Sequence, residues 1–98
     1  MNIREFQSIN AIRCADSLVS EWGHIDWACA LAGEVDEVCN AVKKLKRGVG
    51  SMQDVADGLG YVLAYTSLLA ERLGIDLEHA AIDKFNQVSE RIGYPLRY

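Results

Sequence analysis

The 98-residue sequence predicts an all-α protein, a single domain over residues 1–98 in which four helices form an antiparallel bundle. Three observations lead there. No apolar–polar alternation of strand length occurs, and the one proline is Pro95, close to the C-terminus. Four segments repeat apolar residues at steps of three and four, with short glycine-marked breaks between them.

A first helix is expected from about Ile3 to Trp22, with Ile3, Phe6, Ile9 and Leu18 on its apolar side. Gly23 and His24 break it. A second is expected from about Asp26 to Arg47, its core stripe running through Trp27, Leu31, Val35, Val38, Val42 and Leu45. "RGVGS" makes the next turn, where Ser51 can cap a third helix with Asp54 in a capping-box position. Val55, Leu59, Val62, Thr66, Leu69 and Leu73 form that helix's stripe, and Gly74 stops it. Asp76 caps a fourth helix with Ala81, Phe85, Val88 and Ile92 on its stripe and Gly93 at its end. The tail "YPLRY" is expected to pack on the chain or pair with a neighbour.

Composition narrows the function classes. Half of the residues are apolar, which suffices for a core, but a chain this short buries little surface by itself, so self-association is expected. A net charge of −4 argues against binding a nucleic-acid backbone, which favours a basic face. Lys43, Lys44, Lys46 and Arg47 do cluster, but a basic last turn is also what the helix dipole favours. No apolar run approaches the ~18 residues of a membrane span, and no leader pattern opens the chain, so a soluble, cytoplasmic protein is expected. Cys14, Cys29 and Cys39 are odd in number and lack CxxC spacing, which suits reduced thiols.

The chemistry concentrates in "LAGEVDEVCNAVKKL", residues 31–45. At roughly 100° per residue from Leu31, Glu34 and Glu37 fall at roughly −60° and −120°, with Ala30 and Ala41 between them. Two acids thus share a strip of small residues at the edge of the core. Their repulsion would become attraction around a hard divalent cation such as Mg²⁺ or Mn²⁺, the other reading being an exposed acidic edge. Glu21 and His24 have the ExxH spacing of di-iron bundles, but Gly23 lies between them at a helix end and no second mid-helix ExxH exists. Trp22 and Trp27 suit either a core or a base-stacking wall.

These segments, with "DVADGLGYVLAYTSLLAERLGIDLEHAAIDKFNQVSERIGYP", resemble the MazG-like all-α nucleoside triphosphate pyrophosphohydrolases from about Trp22 to the C-terminus. The resemblance implies a helical bundle that assembles as a homodimer or homotetramer. It implies Mg²⁺-dependent hydrolysis of an NTP or dNTP to the monophosphate and pyrophosphate. The family's ExxE motif matches Glu34 and Glu37, which become the expected catalytic and metal residues, and its phosphate- and nucleotide-contacting Lys and Asn match Lys84 and Asn86 in "KFN".

The family's second metal motif, ExxD, falls on Gly58 and Tyr61, and neither can ligate as an acid. Gly58 and Gly60 each cost about 1 kcal/mol relative to alanine in a helix interior. One expectation is that the Tyr61 ring fills the space Gly58 leaves and stands beside the substrate; the other is that the glycines serve close helix packing. Asp54, one turn earlier on the same strip, is a candidate replacement metal ligand beside its capping role. Activity is therefore expected to be low and the cation weakly held, the alternative being a non-catalytic helical oligomer that binds a nucleotide or another small ligand.

Overall fold

The computed structural model describes residues 2–17 and 19–98, and the expected apolar contribution of Leu18 lies outside them. Among the described residues the chain is all-helical, with α1 over Ile3–Ala15, α2 over His24–Lys46, α3 over Met52–Arg72 and α4 over Leu77–Ile92. No helix is long and apolar enough to cross a membrane among these residues.

Local chemistry sets each boundary. Asn2 Oδ1 accepts from the Glu5 N–H to cap α1. That helix ends seven residues before the expected Trp22, because Asp16 and Ser17 direct their N–H groups to carbonyls three residues back. The Ser17 hydroxyl also donates to the Cys14 carbonyl at 2.7 Å, satisfying a last-turn acceptor locally. Gly23 precedes α2, and the Asp26 carboxylate accepts from its N–H at 3.0 Å. Ser51 Oγ accepts from the Asp54 N–H, and Asp76 Oδ1 from the His79 N–H, so both expected caps form. Gly74 and Gly93 take φ of +69° and +70°, the left-handed turn that ends a helix.

Helices α2 and α3 pair along their lengths. Trp27 lies against Tyr65 and Val38 against Gly58, so rising positions on one meet falling positions on the other. The pair is an antiparallel hairpin. Its contact face is rotated from the expected stripe: Trp27, Ala30, Leu31, Glu34, Val38, Ala41 and Leu45 are buried or half-buried, while Val35 and Val42 remain 45% and 48% exposed. On α3, Val55, Gly58, Val62, Tyr65 and Leu69 turn inward, and Leu59 and Leu73 stay exposed.

Helix α1 docks on α3, and α4 docks on α1. The α1 contact corrects the expected apolar side, since Ile9 is exposed while Gln7 and Asn10 are buried. Asn10 Nδ2 donates to the Ala64 carbonyl and to Ser67 Oγ, both at 2.9 Å. Gln7 donates to Glu71 and to the Ile75 carbonyl and accepts from the Leu77 N–H, tying α3 to the start of α4. Arg4 pairs with Asp76 at 2.6 Å and Glu78 at 3.1 Å. The inward side of α4 is Ile82, Asn86, Val88 and Ser89, so Ala81, Phe85 and Ile92 of its expected stripe are exposed. The tail folds back on this helix: Tyr98 packs its ring on Phe85 at 5.1 Å and exchanges two backbone hydrogen bonds with the Asn86 amide.

Candidate functional site: a carboxylate pair beside an aromatic ladder

Glu34 sits near the centre of the α2 face that meets α3, so its carboxyl is held between helices rather than in water. Oε2 is fully covered and has no hydrogen-bond partner among the described residues. Burial first, then the neighbouring Glu37 carboxyl, raise Glu34 above the usual carboxylate range. Glu37, one turn on, is exposed. The pair therefore combines one desolvated acid and one solvated acid.

Facing it is an aromatic ladder. Trp22 and Trp27 approach at 4.8 Å, Trp27 meets Tyr65 edge-on at 5.8 Å, and Tyr65 meets Tyr61 edge-on at 6.3 Å. Trp27 is fully buried, and its indole N–H has no partner among the described residues. The Tyr65 hydroxyl is raised above the ordinary phenol range by burial first, then by the charges of Glu34, Tyr61 and Glu37. Tyr65 thus belongs with the carboxylates although only Tyr61 stood out in the sequence. The signal was there: Tyr65 is one turn from Tyr61, on the strip of α3 that faces α2.

A cleft of about 380 Å³ continues from Glu37 along Asn40, Ala41 and Lys44 to Asp54 at the start of α3. Asp54 is therefore placed across from Glu37, with Ser51 capping its backbone. Asn40 and Lys44 are further additions to the site; Lys44 had been grouped with the basic last turn. Among the described residues, no three acidic, histidine or cysteine side chains gather as a metal cluster.

The pairing of Gly58 with Tyr61 is corrected. A Cβ placed on Gly58 would stand 2.8 Å from Val38 Cγ2, so a valine methyl from α2 fills that space. Tyr61 is exposed and turns towards α1, sharing a surface cleft with Phe6, Arg13, Asp57 and Gly60. Gly58 serves close helix packing; at Gly60 an added Cβ would meet open space.

Lys84 and Asn86 are not brought to the carboxylates within one chain, because α4 docks on α1. Lys84 Nζ donates to Gln87 Oε1 at 3.0 Å, and the Asn86 amide is engaged by Tyr98.

Comparison with protein-family models, curated proteins and solved structures finds no match. The functional reading therefore stands on the residues themselves.

The donor set fits one hard divalent cation better than two. Two carboxylate groups, one of them with a covered, unpartnered oxygen, are what such an ion would satisfy, and Asp54 lies across the cleft from Glu37. The facing positions 58 and 61 offer no acid for a second ion.

Proposed function

We propose that the protein is a nucleoside triphosphate pyrophosphohydrolase-like protein of the cytoplasm, hydrolysing an NTP or dNTP to the monophosphate and pyrophosphate at a low rate. The observation that carries this reading is the desolvated, unpartnered Glu34 oxygen beside Glu37. A carboxyl lifted above its usual range is a stronger base towards an attacking water than an ordinary carboxylate. Glu34 takes that role and Glu37 orients the water, while both, with Asp54 as a possible third ligand, would hold Mg²⁺ or Mn²⁺. A bound cation would supply neutralisation of phosphate charge. Lys44 lines the cleft and offers a cation to the phosphates, and the Tyr61–Tyr65 rings offer a wall for a base or sugar. Lys84 and Asn86 would join the site from a neighbouring copy in a homodimer or homotetramer, with Asn86 released from Tyr98.

A second reading, a non-catalytic helical oligomer that binds a nucleotide or another small ligand, is favoured by Val38 occupying the space over Gly58. The two readings separate in one assay. Pyrophosphate release from a panel of nucleotides with Mg²⁺ or Mn²⁺, lost in Glu34→Gln and Glu37→Gln, supports the hydrolase. A ligand-dependent rise in melting temperature without turnover supports the binding protein. Neither response to any nucleotide would refute both.

A further inference from the structure

The single chain exposes far more surface than its mass requires. A compact monomer of this mass should expose about 5,600 Å², against 7061 Å² here, an excess of about 1,500 Å². Its radius of gyration is 15.8 Å, where about 12.5 Å is expected of a compact domain of this length.

Part of the uncovered apolar surface is arranged in a regular repeat. On α2, Ala28, Ala32, Val35, Cys39 and Val42 are all exposed and follow steps of four and three, the repeat of a helix-packing seam about 21 Å long. On α3, exposed Met52, Ala56 and Leu59 run into half-buried Leu63 and Thr66 with the same steps. Each seam lies roughly 100° around its helix from the face that meets the other helix, in the same rotational sense. Because the helices run antiparallel, that shared sense brings both seams to one side of the hairpin. Glu37 and Tyr61 lie towards the other, and Glu34 lies between the two helices.

We propose that this two-helix seam is the interface with a second copy of this chain. This placement rests on the self-association proposed above but not on the nucleotide chemistry. A two-fold operation lays seam on seam and makes a four-helix core from two hairpins. The excess of about 1,500 Å² per chain exceeds the roughly 800 Å² per partner that a stable interface of standard size buries. Small residues at 28, 32 and 56 let the helices approach closely, and Val35, Val42 and Leu59 fill the layers between them. Both acid pairs stay outside this core, so Lys84 and Asn86 of a neighbouring copy would reach a cleft through a second contact, as a homotetramer allows.

The chain carries its own reporters. Cys39 is on the seam, Cys29 lies about 80° further round α2 and beyond the seam's edge, and both are exposed in the single chain. Wild-type protein should weigh about twice 10.9 kDa by light scattering. Across the concentrations where dimer forms, maleimide labelling of Cys39 should slow by about tenfold or more, and Cys29, beyond the seam's edge, should slow far less. Val42→Glu would bury a charge in the seam and should weaken dimerisation by about 100-fold or more, whether or not the released chain stays folded. A wild-type protein that stays monomeric overturns both the interface and the self-association, leaving the seam to another partner. A dimer whose Cys39 labels at the monomer's rate, or that persists in Val42→Glu, overturns the seam and leaves self-association standing.

Discussion

Helix α3 is gripped from two sides by opposite means. Towards α2 it presents Val55, Gly58, Val62 and Leu69, and contact is made by apolar side chains brought close by a missing Cβ. Towards α1 it presents the Ala64 carbonyl, Ser67 and Glu71 beside buried Leu68, and the contact is anchored by the amides of Asn10 and Gln7. The first grip is broad and tolerant of changes that conserve volume. The second depends on a few buried polar groups that are costly once a partner is lost. One helix can thus carry a strong apolar repeat and still owe half its neighbours to hydrogen bonds.

The largest expected effect is on the polar side. Asn10→Ala removes the donor to the Ala64 carbonyl and Ser67 Oγ inside the α1–α3 contact, and should cost about 2 kcal/mol, a fall in Tm of roughly 10 °C. Ile9→Ser, one residue away on the exposed side, should change stability by less than about 0.5 kcal/mol. Equal losses in the two variants by thermal denaturation would erase the distinction between the grips.

A smaller effect tests the apolar side. Gly58→Ala gains about 1 kcal/mol of helix propensity but drives a Cβ into Val38, whose branched side chain has little freedom to turn aside, at a cost of about 1–3 kcal/mol. The net should be a loss of about 1 kcal/mol. In a Val38→Ala background the same change should become stabilising, a reversal that a double-mutant cycle reads directly. A loss that persists without the valine would mean that Gly58 is required for something other than this contact.

The smallest effect concerns the acid lodged within the apolar grip. Glu34 has a raised carboxyl in the folded chain, so the fold binds its proton more tightly than the unfolded chain does. Stability from this group is full below the ordinary carboxylate value of about 4.3 and is lost as pH rises through the raised value. Glu34→Gln should therefore raise Tm at pH 7 and leave it nearly unchanged near pH 4. Saturating Mg²⁺ should narrow the difference at pH 7 by stabilising the wild type alone. A Glu34→Gln protein that melts below the wild type at pH 7 without metal would show that the carboxylate is satisfied after all.

The same contrast explains what could be read from sequence. Caps at Ser51 and Asp76 and stops at Gly74 and Gly93 were legible because each is a local bargain between a side chain or a glycine and the nearest backbone. Stripe membership was legible only to within about one helical step. Val35 and Val42 share the apolar half of α2 with Leu31 and Val38, and periodicity alone does not divide that half between two neighbours. Docking of α1 was not legible, because Gln7 and Asn10 read as surface residues until carbonyls more than 50 positions away are placed beside them. In the candidate site, Glu34 and Glu37 were found from spacing and Tyr65 was passed over. Its role comes from facing α2, a relation between helices that no single wheel contains.

The valine methyl over Gly58 also imposes an order on change. Were an acid ever to stand at position 58, as the resemblance would have it, Val38 would first have to become smaller, since any Cβ there meets its methyl at 2.8 Å. Shrinking Val38 alone opens a hole at a cost of about 1–3 kcal/mol, while adding the acid alone forces a clash. Both single steps lead downhill in stability, and only the pair restores contact. Tyr61→Asp, on an exposed residue, is free to occur at any time. Position 58 therefore accepts a side chain only together with a change at Val38, whereas position 61 accepts one by itself.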